Sequence, residues 1–133
     1  MKVFGLEWVF EPLADSPLFF TKRMFGGLAG YLGDRIVLCL MEDPGDCTYR
    51  GKTYGFEIWN GVLVPTDREF HADLIREFPS LRSHPVLGKW LYLPMEVEDF
   101  EETVSRVVER IRSGDPRFGV LSGQSRKTRK KRA

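Results

Sequence analysis

Three groups of side chains in this sequence could carry chemistry: an imidazole near a lysine, clusters of carboxylates, and basic residues interleaved with aromatic rings. His84 lies in Ser83-His84-Pro85, shortly before Lys89-Trp90, in a stretch that reads as loop. An accessible imidazole beside an ammonium can move protons, and Ser80 and Ser83 are the hydroxyls closest in sequence. Neither serine stands at a spacing that fixes it against the ring. The plainer reading is a histidine that caps a loop or sits at the surface. His84 and Lys89 are therefore a candidate polar site, no catalytic residue is assigned, and the enzyme question stays open.

The other acid, thiol and glycine patterns have structural explanations. Glu42, Asp43 and Asp46 share one turn, while Glu96, Glu98, Asp99, Glu101 and Glu102 precede and open a helix, where carboxylates favour the dipole. Neither group has the spacing of a calcium loop. Cys39 and Cys47 make no C-x-x-C, and His71 and His84 make no H-E-x-x-H, so no metal site is indicated. Cys39 sits in an apolar run and reads as a small buried hydrophobe; Cys47 falls in a turn. The run Met24-Phe25-Gly26-Gly27-Leu28-Ala29-Gly30 has Phe25 where a dinucleotide fingerprint needs glycine, and strand residues follow it instead of a helix. No cofactor is expected and no small-molecule ligand is indicated. Gly26 and Gly27 read as a bend or bulge at the entry to a sheet.

Nucleic-acid contact is the remaining chemistry. Lys22, Arg23, Arg50 and Lys52 fall around the expected hairpins, with Tyr49, Tyr54 and Trp59 as candidate stacking surfaces. Arg50-Gly51-Lys52 reads as an exposed basic hairpin tip, able to reach a groove or a line of phosphates. Residues 122–133 add Arg126, Lys127, Arg129, Lys130, Lys131 and Arg132, six positive charges and no acid. With almost nothing apolar after Leu121, this stretch is expected to be a disordered basic tail. It would attract DNA or RNA by counterion release, largely without reading sequence, or would merely solubilise the chain. The formal net charge of +1 conceals this segregation, because the first 121 residues hold 14 Lys/Arg against 19 Asp/Glu, a net −5. So acidic a body argues against a broad electrostatic footprint.

The elements that must position these groups are legible from about Thr21 onward. Before it, Trp8, Val9, Phe10 and Leu13 suffice for a short packing helix, and Pro12 and Pro17 keep it short. Leu28–Leu32 and Ile36–Met41 flank Gly33-Asp34, a type II′ hairpin signal, and Asp43-Pro44-Gly45-Asp46 reads as a turn. Tyr54–Trp59 and Val62–Val64 meet at Asn60-Gly61, which predicts a type I′ hairpin. Thr66-Asp67-Arg68-Glu69 has the form of a capping box before a helix carrying Phe70, Leu74, Ile75 and Phe78, which Pro79 stops. Lys89–Leu93 predicts a strand ended by Pro94. Asp99 caps a last helix with Phe100, Val104, Val107, Val108 and Ile111 on one face, closed by Gly114 and Pro116.

That order predicts a two-layer α+β fold: a mainly antiparallel sheet of four to six strands packed with two or three helices. A chain of 133 residues, 42% hydrophobic and 29% charged, suits one globular domain, expected at 1–121, that needs no disulfide or metal to fold. No apolar run approaches the roughly 18 residues of a membrane helix, and the opening residues lack a signal peptide's apolar stretch. No membrane partner is expected, and the cytoplasm is the default compartment.

Arg23-Met24-Phe25-Gly26-Gly27, followed by a glycine-turned hairpin, resembles the opening signature of the TfoX N-terminal domain family. Leu74-Ile75-Arg76-Glu77-Phe78-Pro79, leading through His84 and Lys89-Trp90 into a strand, is similar to the related MmcQ/YjbR proteins. The resemblance spans roughly residues 20–112. It implies an α+β domain of the kind compared with double-wing DNA-binding architectures, and it brings no catalytic residue and no cofactor. The chain departs from it in having a basic tail where full-length TfoX has a helical domain, in the turns of segment 41–56, and around His84. The leading expectation is a small non-enzymatic binding or regulatory domain, in contact with nucleic acid through its basic hairpins and tail. A protein-interaction or homodimeric module is the alternative, and an enzyme using His84 is the least favoured.

Overall fold

The computed structural model describes residues 4–24 and 26–121, so the expected basic tail lies outside the described residues. The chain enters through a 3-10 helix, Gly5–Leu13, with Leu6, Val9, Phe10 and Leu13 turned inward and Pro12 accommodated near its end. It is pinned to the sheet by Glu42, whose carboxylate accepts the amide hydrogens of Gly5 and Leu6 at 3.1 and 2.8 Å.

Strand β1 (Phe19–Met24) turns into β2 (Gly27–Leu32), and β2 into β3 (Arg35–Glu42). Of the residues between β2 and β3 only Gly33 has positive φ (64°), as a type II′ turn requires. Gly27 and Gly30 have a second reason to be glycine. A Cβ on Gly27 would lie 2.3 Å from the Leu40 carbonyl oxygen, and one on Gly30 would lie 2.6 Å from the Phe10 ring. The turn at Asp43–Asp46 forms as expected, with the Asp46 amide donating to the Asp43 carbonyl at 3.3 Å and φ 85° at Gly45.

Beyond this turn the structure departs from the expected hairpin. Residues 54–59 are irregular, and Asn60-Gly61 is not a turn but the start of β6 (Asn60–Val64). The strands that pair with β6 are β3 on one side and β8 (Leu91–Pro94) on the other. Gly61 is glycine because of close packing: a Cβ there would lie 2.2 Å from the Leu93 carbonyl oxygen. The local Asn-Gly preference was outweighed by two long-range pairings and the burial that accompanies them. A small hairpin does occur nearby, β4 (Thr48–Tyr49) with β5 (Lys52–Thr53), turning at Arg50 and Gly51 with φ of 49° and 79°.

Helix α1 (His71–Glu77) follows a 3-10 turn at Arg68–Phe70, and the capping box before it does not form. The Thr66 hydroxyl instead donates to the carbonyl of Arg117, tying the segment after α2 to the helix entrance. Helix α2 (Phe100–Arg112) has Asp99 at its start, with one carboxylate oxygen taking the Thr103 hydroxyl and the other the Ser80 hydroxyl. The two-residue strands β7 (Arg82–Ser83) and β9 (Val120–Leu121) complete the set. Pro94 pairs in register with Gly61 inside β8, past the end of β7.

The main sheet runs β1-β2-β3-β6-β8-β7, with β9 against the start of β3, and every pairing is antiparallel. This is the expected α+β architecture, with seven strands because of the two-residue β7 and β9. One face carries α1, α2 and the first 3-10 helix over Leu28, Leu38, Leu40, Val62, Val64, Leu91 and Leu93. Burying the five apolar side chains of α2's inner face contributes about 8–15 kcal/mol as an upper bound, so that helix cannot detach from a folded sheet. The other face has Ala29, Tyr31, Cys39, Met41, Leu63 and Tyr92, covered by Phe56, Trp59, Leu87 and Trp90 from irregular segments. The sheet is thus roofed by helices on one side and by loops on the other. No helix among the described residues is long and apolar enough to cross a membrane.

Candidate nucleic-acid interface

The β4–β5 hairpin brings two of the expected basic residues together on aromatic supports. Tyr49 and Lys52 face each other in register. The Arg50 guanidinium lies 5.3 Å from the centre of the Tyr49 ring, and the Lys52 ammonium lies 5.4 Å from that of Tyr54. Such contacts contribute only about 0.5–1 kcal/mol each when exposed, but they bias two long side chains toward defined positions. Arg50, Gly51 and Lys52 are all exposed, so the charged heads remain available to an anion.

The base of the hairpin is held by main-chain bonds. Tyr54 donates to the Cys47 carbonyl at 2.8 Å, Ile58 to the Asp46 carbonyl at 3.0 Å, and Asp43 to the Trp59 carbonyl at 2.9 Å. Tyr49 also meets Trp59 edge-on, with centroids 6.4 Å apart. Trp59 in turn lies against the imidazole of His84, so the hairpin rests on a buried cluster and not on solvent.

His84 is the centre of that cluster, which corrects the reading of an accessible or surface imidazole and leaves that of a histidine capping its own loop. It is 1% exposed. Nδ1 accepts the amide hydrogens of Val86 and Leu87 at 3.1 and 3.0 Å, which leaves the ring proton on Nε2 to be donated to the Ile58 carbonyl at 2.6 Å. Burial pulls its pKa below the ordinary 6.5, and the bond to Ile58 opposes this only in part. Both ring nitrogens are committed, so the imidazole has no free position for a substrate. Lys89 is exposed, and among the described residues no hydrogen bond or ion pair joins it to His84. The polar site imagined at His84 and Lys89 does not assemble. What assembles is a clamp. The Tyr92 hydroxyl accepts the Asn60 amide at 2.8 Å and donates to the Glu57 carbonyl at 2.7 Å, beside the His84 ring. Residues 57–60 have no strand partner for these groups, and two buried side chains stand in for one. Burial first, then the nearby Glu57 and Glu96 carboxylates, keep the Tyr92 phenol protonated.

The remaining expected cations separate. Lys22 pairs in register with Ala29 and shares the loop-covered face, whereas Arg23 pairs with Leu28 and faces the helical side, its guanidinium 5.5 Å from the Phe4 ring centre. Adjacent basic residues on a strand cannot serve one surface. Beside Lys22 stands Phe20, 47% exposed and stacked flat on Tyr31 at 4.8 Å. Phe20 escaped the sequence reading, although its two-residue spacing from Lys22 was the available signal. Arg126, Lys127, Arg129, Lys130, Lys131 and Arg132 lie outside the described residues.

The carboxylates serve structure. Glu57 accepts the Gly45 amide and the Asn60 side-chain amide, Glu96 accepts the Glu57 amide, and hydrogen bonds from Ser80 and Thr103 hold the Asp99 carboxyl below the usual range. Among the described residues no group of three or more possible ligands could hold a metal ion. Cys39 is a free thiol whose pKa burial pushes up to about 12, and Cys47 is free and half-buried. A cleft of about 310 Å³ lies between Arg35 and Asp115, lined also by Leu32, Val37 and Phe118, and it touches none of the expected site residues. No family model, curated protein or solved structure matches the chain.

Proposed function

We propose that this chain is a small non-enzymatic nucleic-acid-binding domain whose folded contact is the β4–β5 hairpin, with the basic segment 122–133 adding attraction to any polyanion. The observation that carries this reading is the pairing at one exposed tip of Arg50 over Tyr49 and Lys52 over Tyr54. Cations next to flat rings suit a phosphate line with bases alongside it. The resemblance to the TfoX N-terminal and MmcQ/YjbR families points the same way. A cytoplasmic setting goes with the reading, since Cys39 and Cys47 are both free thiols.

The test is titration of the full chain with single-stranded and duplex DNA, beside two full-length variants. One variant carries Arg50→Ala with Lys52→Ala, and the other replaces the six basic residues of 122–133 by glutamine. The glutamine variant is expected to bind more weakly but keep the wild type's preference between the two DNA forms. The hairpin variant should lose that preference. A hairpin variant that binds like wild type, with all affinity lost in the glutamine variant, would reduce the activity to tail electrostatics. Silence from every form would remove DNA as the ligand.

A further inference from the structure

Strand β1 ends the main sheet, and its outer edge pairs with no strand among the described residues. Which backbone groups face outward follows from two bonds. The Leu18 carbonyl accepts the Gly33 amide on the β2 side, whereas the Phe19 amide turns away from β2 to the Ser16 carbonyl. Alternation along the strand then points the amide and carbonyl of Thr21 toward the open edge, while Phe20 and Lys22 direct theirs to Tyr31 and Ala29. The edge is six residues long, contains no proline, and exposes Phe20, Thr21 and Lys22. Edges of this kind invite a further strand.

We propose that β1 pairs antiparallel with β1 of a second copy of this chain, about a two-fold axis at Thr21, joining two sheets into one. Chemistry selects both partner and register. Pairing about Thr21 lets the two Thr21 residues exchange amide-to-carbonyl bonds and sets the Phe20 of each copy opposite the Lys22 of the other. Phe20 and Lys22 then occupy the closer, non-hydrogen-bonded positions, where the ammonium can lie against the ring. The ring's far side already stacks on Tyr31, so the contact extends an existing arrangement. The two neighbouring registers are poorer. Pairing about Lys22 places like charges face to face, which is destabilising. Pairing about Phe20 would route its innermost bonds through the Phe19 amide, already bonded to Ser16, whereas pairing about Thr21 calls on that amide only at the flanking Phe19–Arg23 pairs. Aromatic on one arm and basic on the other makes the edge complementary to itself, the condition an isologous interface must satisfy. This inference stands apart from nucleic-acid binding, because it uses neither the β4–β5 hairpin nor the tail.

Sedimentation velocity of the full chain over about 1–300 μM should show a concentration-dependent monomer–dimer equilibrium. Thr21→Pro removes the outward amide and leaves the β2 ladder intact, since proline is tolerated on the open side of an edge strand. It should raise the dimer dissociation constant about tenfold or more while far-UV circular dichroism stays unchanged. In a Cys47→Ser background, Thr21→Cys should oxidise to a covalent dimer faster than Lys22→Cys. A chain that stays monomeric throughout overturns the proposal. So does a dimer that survives Thr21→Pro, and so does faster cross-linking through position 22. If Thr21→Pro unfolds the chain, the relative cross-linking rates decide alone.

Discussion

His84 and Tyr92 combine two opposite tendencies, polar groups placed where water is excluded, and each resolves them by serving the backbone. The imidazole is neutral because two amides point at Nδ1, and protonating that nitrogen would set a third donor against them. Its pKa lies below 6.5 in the folded chain, so between the folded value and 6.5 the unfolded chain binds more protons. Stability is therefore complete above about pH 6.5 and declines as pH falls below it. Urea unfolding at pH 7.5 and 5.5 should show the wild type losing stability, and His84→Gln, although less stable at both, losing less between them. Equal losses in the two proteins would assign the pH effect elsewhere. Tyr92→Phe keeps the ring but strands the Asn60 amide and the Glu57 carbonyl, and should cost about 1–3 kcal/mol in the same measurement. The capping of its own loop by His84 was legible in the sequence, but its bond to Ile58 and the role of Tyr92, which reads only as a strand residue, were not. The groups they satisfy at a distance, the carbonyls of Glu57 and Ile58 and the amide of Asn60, lie more than twenty positions away, and no local pattern announces backbone that needs side chains in place of a strand.

At the scale of elements, short-range rules succeeded where the chain pairs with its neighbour and failed where it pairs at a distance. The Gly33-Asp34 turn, the Asp43–Asp46 turn, the Arg50 tip and helix α2 all follow from residues a few positions apart. Asn60-Gly61 misled because a glycine demanded by close packing looks the same in sequence as one demanded by a turn. Thr66 misled similarly, since the hydroxyl that could cap a helix bonds the Arg117 carbonyl 51 residues on. The two uses of glycine can be separated by substitution. Gly33→Ala meets open space and pays only for its positive φ, about 1 kcal/mol. Gly61→Ala drives a methyl group against the Leu93 carbonyl and the Met95 amide, backbone atoms at 2.2 and 2.9 Å that cannot swing aside. It should cost about 3 kcal/mol or more, or prevent folding, as read by thermal unfolding. Equal effects at the two sites would mean that β6 sits farther from β8 than these distances require.

For the whole molecule, the segregation of charge governs how the proposed activity should respond to salt. The first 121 residues carry a net −5, and the six cations of the final twelve oppose it from one end. Leu121 pairs with Arg35 at the start of β3, whereas the β4–β5 hairpin leaves beyond Glu42 at the other end of that strand. The separation along β3 is about 25 Å, and twelve residues can extend to about 40 Å, so both basic groups can reach one polyanion. Each phosphate neutralised adds about 0.9 to the steepness of log K against log salt on duplex DNA. If the hairpin supplies two contacts and the tail up to six, the full chain should approach a slope of about −7. Arg50→Ala with Lys52→Ala should bring it to about −5, and glutamine in place of the tail cations to about −2. The acidic body weakens affinity, but the slopes count phosphates neutralised and keep their order. Fluorescence anisotropy at four or more salt concentrations reads them directly. A shallow slope that persists in the tail variant and vanishes with Arg50 and Lys52 would place phosphate contact on the fold. Identical slopes for wild type and the hairpin variant would leave the hairpin with no part in neutralising phosphate.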